Sequence, residues 1–123
     1  MNYKIIILFI FSVSIFYFSG CDSVTDSKSV SVTTPSLLEP ADNDSNIVLA
    51  PTFKWTGAAD KLQVATNSTF STVVYSSDVS GNEHTMSGYQ LDYYTIYFWR
   101  AGKTSGSTVY WSSSSFKFKT IKQ

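Results

Sequence analysis

An all-β sandwich of seven short antiparallel strands, preceded by an N-terminal signal helix that is cut away, is the fold this 123-residue chain predicts. Three observations carry it. Past Pro35 no window of eleven or more residues keeps a helical period, whereas apolar residues alternate with polar ones. Gly, Pro, Asn, Asp and Ser interrupt that alternation at the short, even spacing of a sandwich. Ahead of it stands a single greasy segment too short to be a membrane span.

That segment is the first element. Lys4 supplies a positive charge, and Ile5 to Phe18 form an apolar run broken by Ser12 and Ser14. At ~1.5 Å per residue a helix over it covers about 21 Å, short of a hydrocarbon core of ~30 Å. A signal-peptide hydrophobic region fits this length, and Ser19 and Gly20 give a peptidase the small residues it needs. Next comes Cys21, the only cysteine.

The stretch Phe18-Ser19-Gly20-Cys21 resembles the bacterial lipobox: an apolar residue, two small ones, then a cysteine. The resemblance implies that the Cys21 thiolate takes a diacylglyceryl group, that residues 1–20 are removed, and that the new amine is acylated. A thiolate is the nucleophile this transfer needs. Several acyl chains anchor firmly, since each buried methylene contributes ~0.8 kcal/mol and one myristoyl chain holds only reversibly. The expected partner is therefore a membrane, reached through lipid on Cys21. The expected location is the bacterial cell envelope, with the outer membrane or cell surface ahead of the inner membrane. Asp22 matches the inner-membrane retention signal of enteric bacteria, which leaves the choice of membrane open.

Residues 21–34 hold the lipidated cysteine and a Ser/Thr-rich tether without aromatic residues. Fully extended, its thirteen residues after the cysteine reach ~40 Å. Residues 35–123 are the folded domain. With the cysteine used for lipid, its core must suffice without a disulfide.

Within the domain, strands are expected over residues 36–39, 52–56, 61–65, 73–76, 84–87, 95–103 and 109–119. Phe53 and Trp55 flank Lys54, Leu62 and Val64 flank Gln63, and Phe116 and Phe118 flank Lys117. Period two with a polar residue between is the mark of a half-buried strand. The runs 42–46, 57–60, 80–82 and 105–107 are expected to be turns.

The segment Leu91-Asp92-Tyr93-Tyr94-Thr95-Ile96-Tyr97-Phe98-Trp99-Arg100 resembles the corresponding part of a fibronectin type III domain, an immunoglobulin-like fold. So do Leu49 to Trp55, Leu62 to Phe70, and Trp111-Ser112 with Phe116 to Thr120. The resemblance implies that Tyr97 is a tyrosine-corner residue bonding backbone upstream of itself. Leu91, Trp99, Trp55, Leu62, Val64, Phe70, Phe116 and Phe118 are the implied core. The loop between Trp55 and Leu62 is shorter than usual, and Asp60 stands where an aromatic residue often begins the third strand.

Little in the chain points to catalysis. His84 is the only histidine, no G-x-S-x-G elbow occurs, and no His/Cys cluster suggests zinc. Asp42-Asn43-Asp44-Ser45-Asn46 begins like a calcium loop, but an EF-hand continues with glycine sixth and glutamate twelfth. Here those are Ile47 and Phe53, so an Asx-rich turn is expected. Nine basic residues balance nine acidic ones, which argues against nucleic acid as a partner. No cofactor and no metal are expected.

Binding remains. Tyr93, Tyr94, Lys103 and Tyr110 are candidate ligand contacts, with Tyr89 a further aromatic not needed inside. The expected function is a non-catalytic, membrane-anchored lipoprotein displaying one module for protein contact, adhesion or spacing. The alternative is a glycan-binding accessory lipoprotein of the envelope.

Overall fold

The computed structural model describes residues 31–88 and 90–123; the expected signal peptide, Cys21, most of the expected tether and Tyr89 lie outside the described residues. Among the described residues nine strands form: β1 Ser36–Glu39, β2 Asp44–Ile47, β3 Thr52–Thr56, β4 Lys61–Ala65, β5 Val73–Asp78, β6 Glu83–Thr85, β7 Ile96–Ser105, β8 Thr108–Trp111 and β9 Phe116–Thr120. They make two sheets in a sandwich-like arrangement. The smaller has the order β1-β3-β6, the larger β2-β9-β7-β4-β5, with β8 paired to β7.

Two expectations about the strands are corrected. The stretch 109–119 is not one strand, because Ser112 to Ser115 interrupt it between β8 and β9. Four serines have little to pack on a pleated surface, so the ladder breaks there. The Asx run, expected to be a turn, instead feeds β2, which lies parallel to β9. The sandwich is therefore not wholly antiparallel. Asn43 and Asn46 take left-handed backbone angles on either side of Asp44 and Ser45. Asparagine tolerates that region better than most residues. Asp42 then accepts a hydrogen bond from the Lys117 N–H at 3.0 Å, and Asn43 N–H donates to Lys117 O at 2.8 Å.

The core follows from the period of two. Phe53 and Trp55 of β3, Leu62 and Val64 of β4, Tyr97, Trp99 and Ala101 of β7, and Phe118 of β9 all point between the sheets and are buried. Leu37, Leu49, Ala59, Tyr75, Met86 and Leu91 complete it, with Phe116 partly buried against its rim. The rings meet at angles that suit their quadrupoles: Phe53 lies 5.0 Å from Trp99 and 6.1 Å from Phe118, and Trp99 stands edge-on to Phe116. Phe70 is the exception to the expected core. It is half-buried and sits outside the cluster, in the turn between β4 and β5.

Polar groups close the ends of the larger sheet. The Tyr97 hydroxyl accepts the Asp92 N–H at 2.9 Å. Thr120, buried on the same face as Phe116 and Phe118, donates its hydroxyl to Asp92 O at 2.6 Å and accepts Thr95 N–H at 2.9 Å. Together they pin the turn before β7 to the end of β9, as buried polar atoms require.

Candidate functional site: an aromatic and cationic sheet surface

In β7 the inward positions are Tyr97, Trp99 and Ala101, so Phe98, Arg100 and Gly102 face outward. The sole arginine thus stands on the outer face of the larger sheet. Its Cζ lies 4.1 Å from the Phe70 ring centroid and 4.0 Å from that of Trp111, a cation held between two π faces. Nε and Nη2 both donate to Gln63 Oε1, at 3.0 and 2.7 Å. Partial burial lowers the pKa of Arg100, and a guanidinium remains charged under any physiological condition.

Each wall of this stack has a local cause. Phe70 holds a left-handed φ of 55°, in a turn closed by Ser71 N–H donating to Asn67 Oδ1 at 3.1 Å. Trp111 lies over Gly102, where a Cβ would come within 2.7 Å of the indole Cε3 and 2.8 Å of a Val109 methyl. Only a residue without a side chain lets that indole lie flat beside the arginine.

A second grouping occupies one pole. Tyr93 and Tyr94, in the turn before β7, are exposed at 46% and 55%. Tyr94 has a left-handed φ of 51° and donates its N–H to Ile121 O at 2.8 Å. Lys119 Nζ lies 3.3 Å from the Tyr94 ring centroid and Lys122 Nζ 4.9 Å from it. Beside them is a shallow groove of about 190 Å³, lined by Ile96, Lys117, Lys119, Phe118 and the Asn43–Ser45 segment.

The sequence-predicted contacts do not converge. Tyr93 and Tyr94 precede β7, whereas Lys103 and Tyr110 pair in register near its far end. At ~3.3 Å per residue the two groups are about 30 Å apart. Lys103 is not free: its Nζ bonds Asp60 Oδ2 at 3.0 Å. Asp60 also accepts the Thr104 N–H and hydroxyl, each at 2.9 Å to Oδ1. Partial burial pushes the Asp60 pKa up, but the bonds from Lys103 and Thr104 outweigh it and hold the carboxyl below its ordinary value. His84, expected to be an exposed strand histidine, is half-buried, with Nε2 2.7 Å from the Tyr75 hydroxyl.

Arg100, Trp111, Lys119 and Lys122 are the surface residues that sequence reasoning missed. The alternation around Tyr97 and Trp99 already places Arg100 outward. The pairing of a turn tyrosine with lysines twenty-five and more residues later had no local signal. Among the described residues no group of three or more His, Cys, Asp or Glu is arranged to hold a metal. Compared with protein-family models, curated proteins and solved structures, the chain finds no match in any of the three.

Proposed function

We propose that this chain is a lipid-anchored, non-catalytic lipoprotein of the bacterial envelope, whose fibronectin type III-like module serves protein contact, adhesion or spacing. The observation that carries the contact reading is the outer face of the larger sheet. Arg100, Phe70 and Trp111 form a rigid, partly exposed stack there, with Phe98 beside it. Tryptophan and arginine are the residues that dominate binding energy at protein interfaces, and a pre-stacked pair loses little side-chain entropy on contact. The hydroxyl of Tyr97 bonded to backbone five residues upstream, and the three-strand sheet set against a larger one, support the fibronectin type III-like reading. The apolar run ending in Phe18-Ser19-Gly20-Cys21 supports the anchor.

Two measurements test it. Mass spectrometry of the protein taken from membranes should find Cys21 as the first residue carrying the mass of a diacylglyceryl group, and an unmodified thiol rejects the lipid anchor. A photo-crosslinking side chain at Phe98 in the full chain, activated in intact cells, should give discrete protein adducts. The same side chain at Ser80, remote from this face, should not. Equal adduct patterns from both positions would sink the contact reading.

A second reading, a glycan-binding accessory lipoprotein, is favoured by the pole at Tyr93 and Tyr94. The exposed rings of Tyr93 and Tyr94 are of the kind that stack on sugars, Tyr94 with Lys119 over one face, and their turn is held by the Tyr94 N–H to Ile121 O and the Thr95 N–H to the Thr120 hydroxyl.

A further inference from the structure

The cations of the domain are unevenly used. Among the described residues, Lys54, Lys61 and Lys103 are paired with Glu39, Asp78 and Asp60. Lys117, Lys119 and Lys122 form no ion pair with any described carboxylate, and all three stand within the last seven residues. The fold then brings them to the two tyrosines: Ile96 pairs with Lys119 in register, Phe98 with Lys117, and Tyr94 lies beneath Lys119 and Lys122. The carboxylates at this pole are Asp42, which accepts the Lys117 N–H at 3.0 Å, Asp44, which accepts the Ser45 N–H at 2.9 Å, and the exposed Asp92; none of them forms an ion pair with the three lysines. Three ammoniums without an ion-pair partner among the described residues thus stand beside exposed rings, available to an anionic ligand.

Position narrows the occupant. Pro35, where the chain enters the sandwich, lies against Gly57. Ser36 pairs with Thr56, and Asp60 N–H bonds Gly102 O, so that pole holds the late part of β7. Tyr94, Ile121 and Lys122 are at the opposite pole, beyond the start of β7. A surface facing away from where the chain enters is badly placed for the membrane that the tether would reach. It is well placed for a polymer beyond it.

We infer that this pole binds an acidic polysaccharide, with Tyr93 and Tyr94 stacking on sugar rings and Lys117, Lys119 and Lys122 pairing with carboxylates along the polymer. The inference rests on the glycan reading and adds to it the charge of the ligand. Lys119 contributes twice, since from over one face of Tyr94 it both fixes the ring and sets an ammonium beside the stacking surface. The groove beside Ile96 has room for one ring-sized group, which suits an extended chain read a unit at a time.

The test uses the full chain in a nonionic detergent, with affinity electrophoresis and calorimetry against polygalacturonate, dextran, anionic phospholipid vesicles and a thymidine oligonucleotide. Polygalacturonate should retard the protein and dextran should not. The affinity should fall tenfold or more between 50 and 500 mM salt, as ion pairs at an exposed site require. The double variant K119Q/K122Q should lose at least tenfold in affinity with an unchanged melting temperature. Lys54→Gln, which removes a carboxylate-paired lysine, should bind as the parent does. Equal retardation by dextran and polygalacturonate, or parent-like binding by K119Q/K122Q, overturns the acidic preference and leaves the glycan reading standing. No retardation by either polysaccharide overturns both. Binding to the vesicles or the oligonucleotide with none to polygalacturonate also overturns the inference, in favour of those partners.

Discussion

Two tryptophans occupy equivalent inward positions on facing strands, yet their indole nitrogens fare differently. Trp99 Nε1 donates to Pro40 O at 3.1 Å, while the buried Trp55 Nε1 has no partner among the described residues. Replacing either by alanine should cost ~3–5 kcal/mol, comparable with the whole stability of a small domain. The phenylalanine variants separate the two sites. Both lose similar volume, but Trp99→Phe also strips the Pro40 carbonyl of its donor, so it should be the worse by ~1–3 kcal/mol in urea denaturation. Equal losses would mean that the Trp99 bond contributes nothing net. The inward positions of these tryptophans, and of Leu62, Val64 and Phe118, were legible because a period of two decides them without tertiary knowledge. Phe70 was not. Its ring was assigned inward on hydrophobicity, whereas a left-handed backbone in the turn and a guanidinium on the neighbouring strand hold it outside the core.

At the level of elements, the short link between β3 and β4 depends on Asp60, which ties itself to Lys103 and Thr104 of β7. Its carboxyl is held below the ordinary value, so the folded state binds that proton less readily than the unfolded chain does. The stabilisation is therefore complete above the ordinary carboxylate pKa of about 4 and is lost as pH falls through the lower folded value. Asp60→Asn should melt below the parent at pH 7, and the gap should narrow as the buffer is taken from pH 4.5 to pH 2.5. A gap that stays constant over that range would show that the charge is not what joins the two strands. The strands on either side were readable from their own residues, β4 from Leu62 and Val64 and β7 from Tyr97 and Trp99. β2 was not readable, because Asp, Ser and Asn are poor strand formers. It exists through Asp42 and Asn43 meeting the Lys117 backbone more than seventy residues away. The candidate site divides in the same manner. Exposed Tyr93 and Tyr94 could be picked out from the sequence, but the lysines over Tyr94 come from β9 and the residues after it, and only the fold brings them there.

For the molecule as a whole, the question is what keeps two sheets with open edges from sliding apart. On one side the chain itself crosses from β1 in the smaller sheet to β2 in the larger, and Pro40 in that crossing is bonded to Trp99. On the other side the edge strands are β6 and β5, and β6 has only three residues. There the Tyr75 hydroxyl meets His84 Nε2 at 2.7 Å, with the rings 6.0 Å apart. Among the described residues it is the side-chain hydrogen bond that joins a strand of one sheet to a strand of the other. Tyr75→Phe should lower stability by ~0.5–1.5 kcal/mol, the net worth of one such bond. That corresponds to a fall in melting temperature of several degrees for a domain of this size. Because β6 is short and held on one side only, its amides should lose hydrogen-exchange protection first, while those of β7, paired on both sides, keep theirs. Combining Tyr75→Phe with His84→Ala distinguishes a real link from two separate packing losses. Contacting partners give a coupling of ~0.5–3 kcal/mol, so strictly additive losses would show that the two sheets are held by their apolar faces alone.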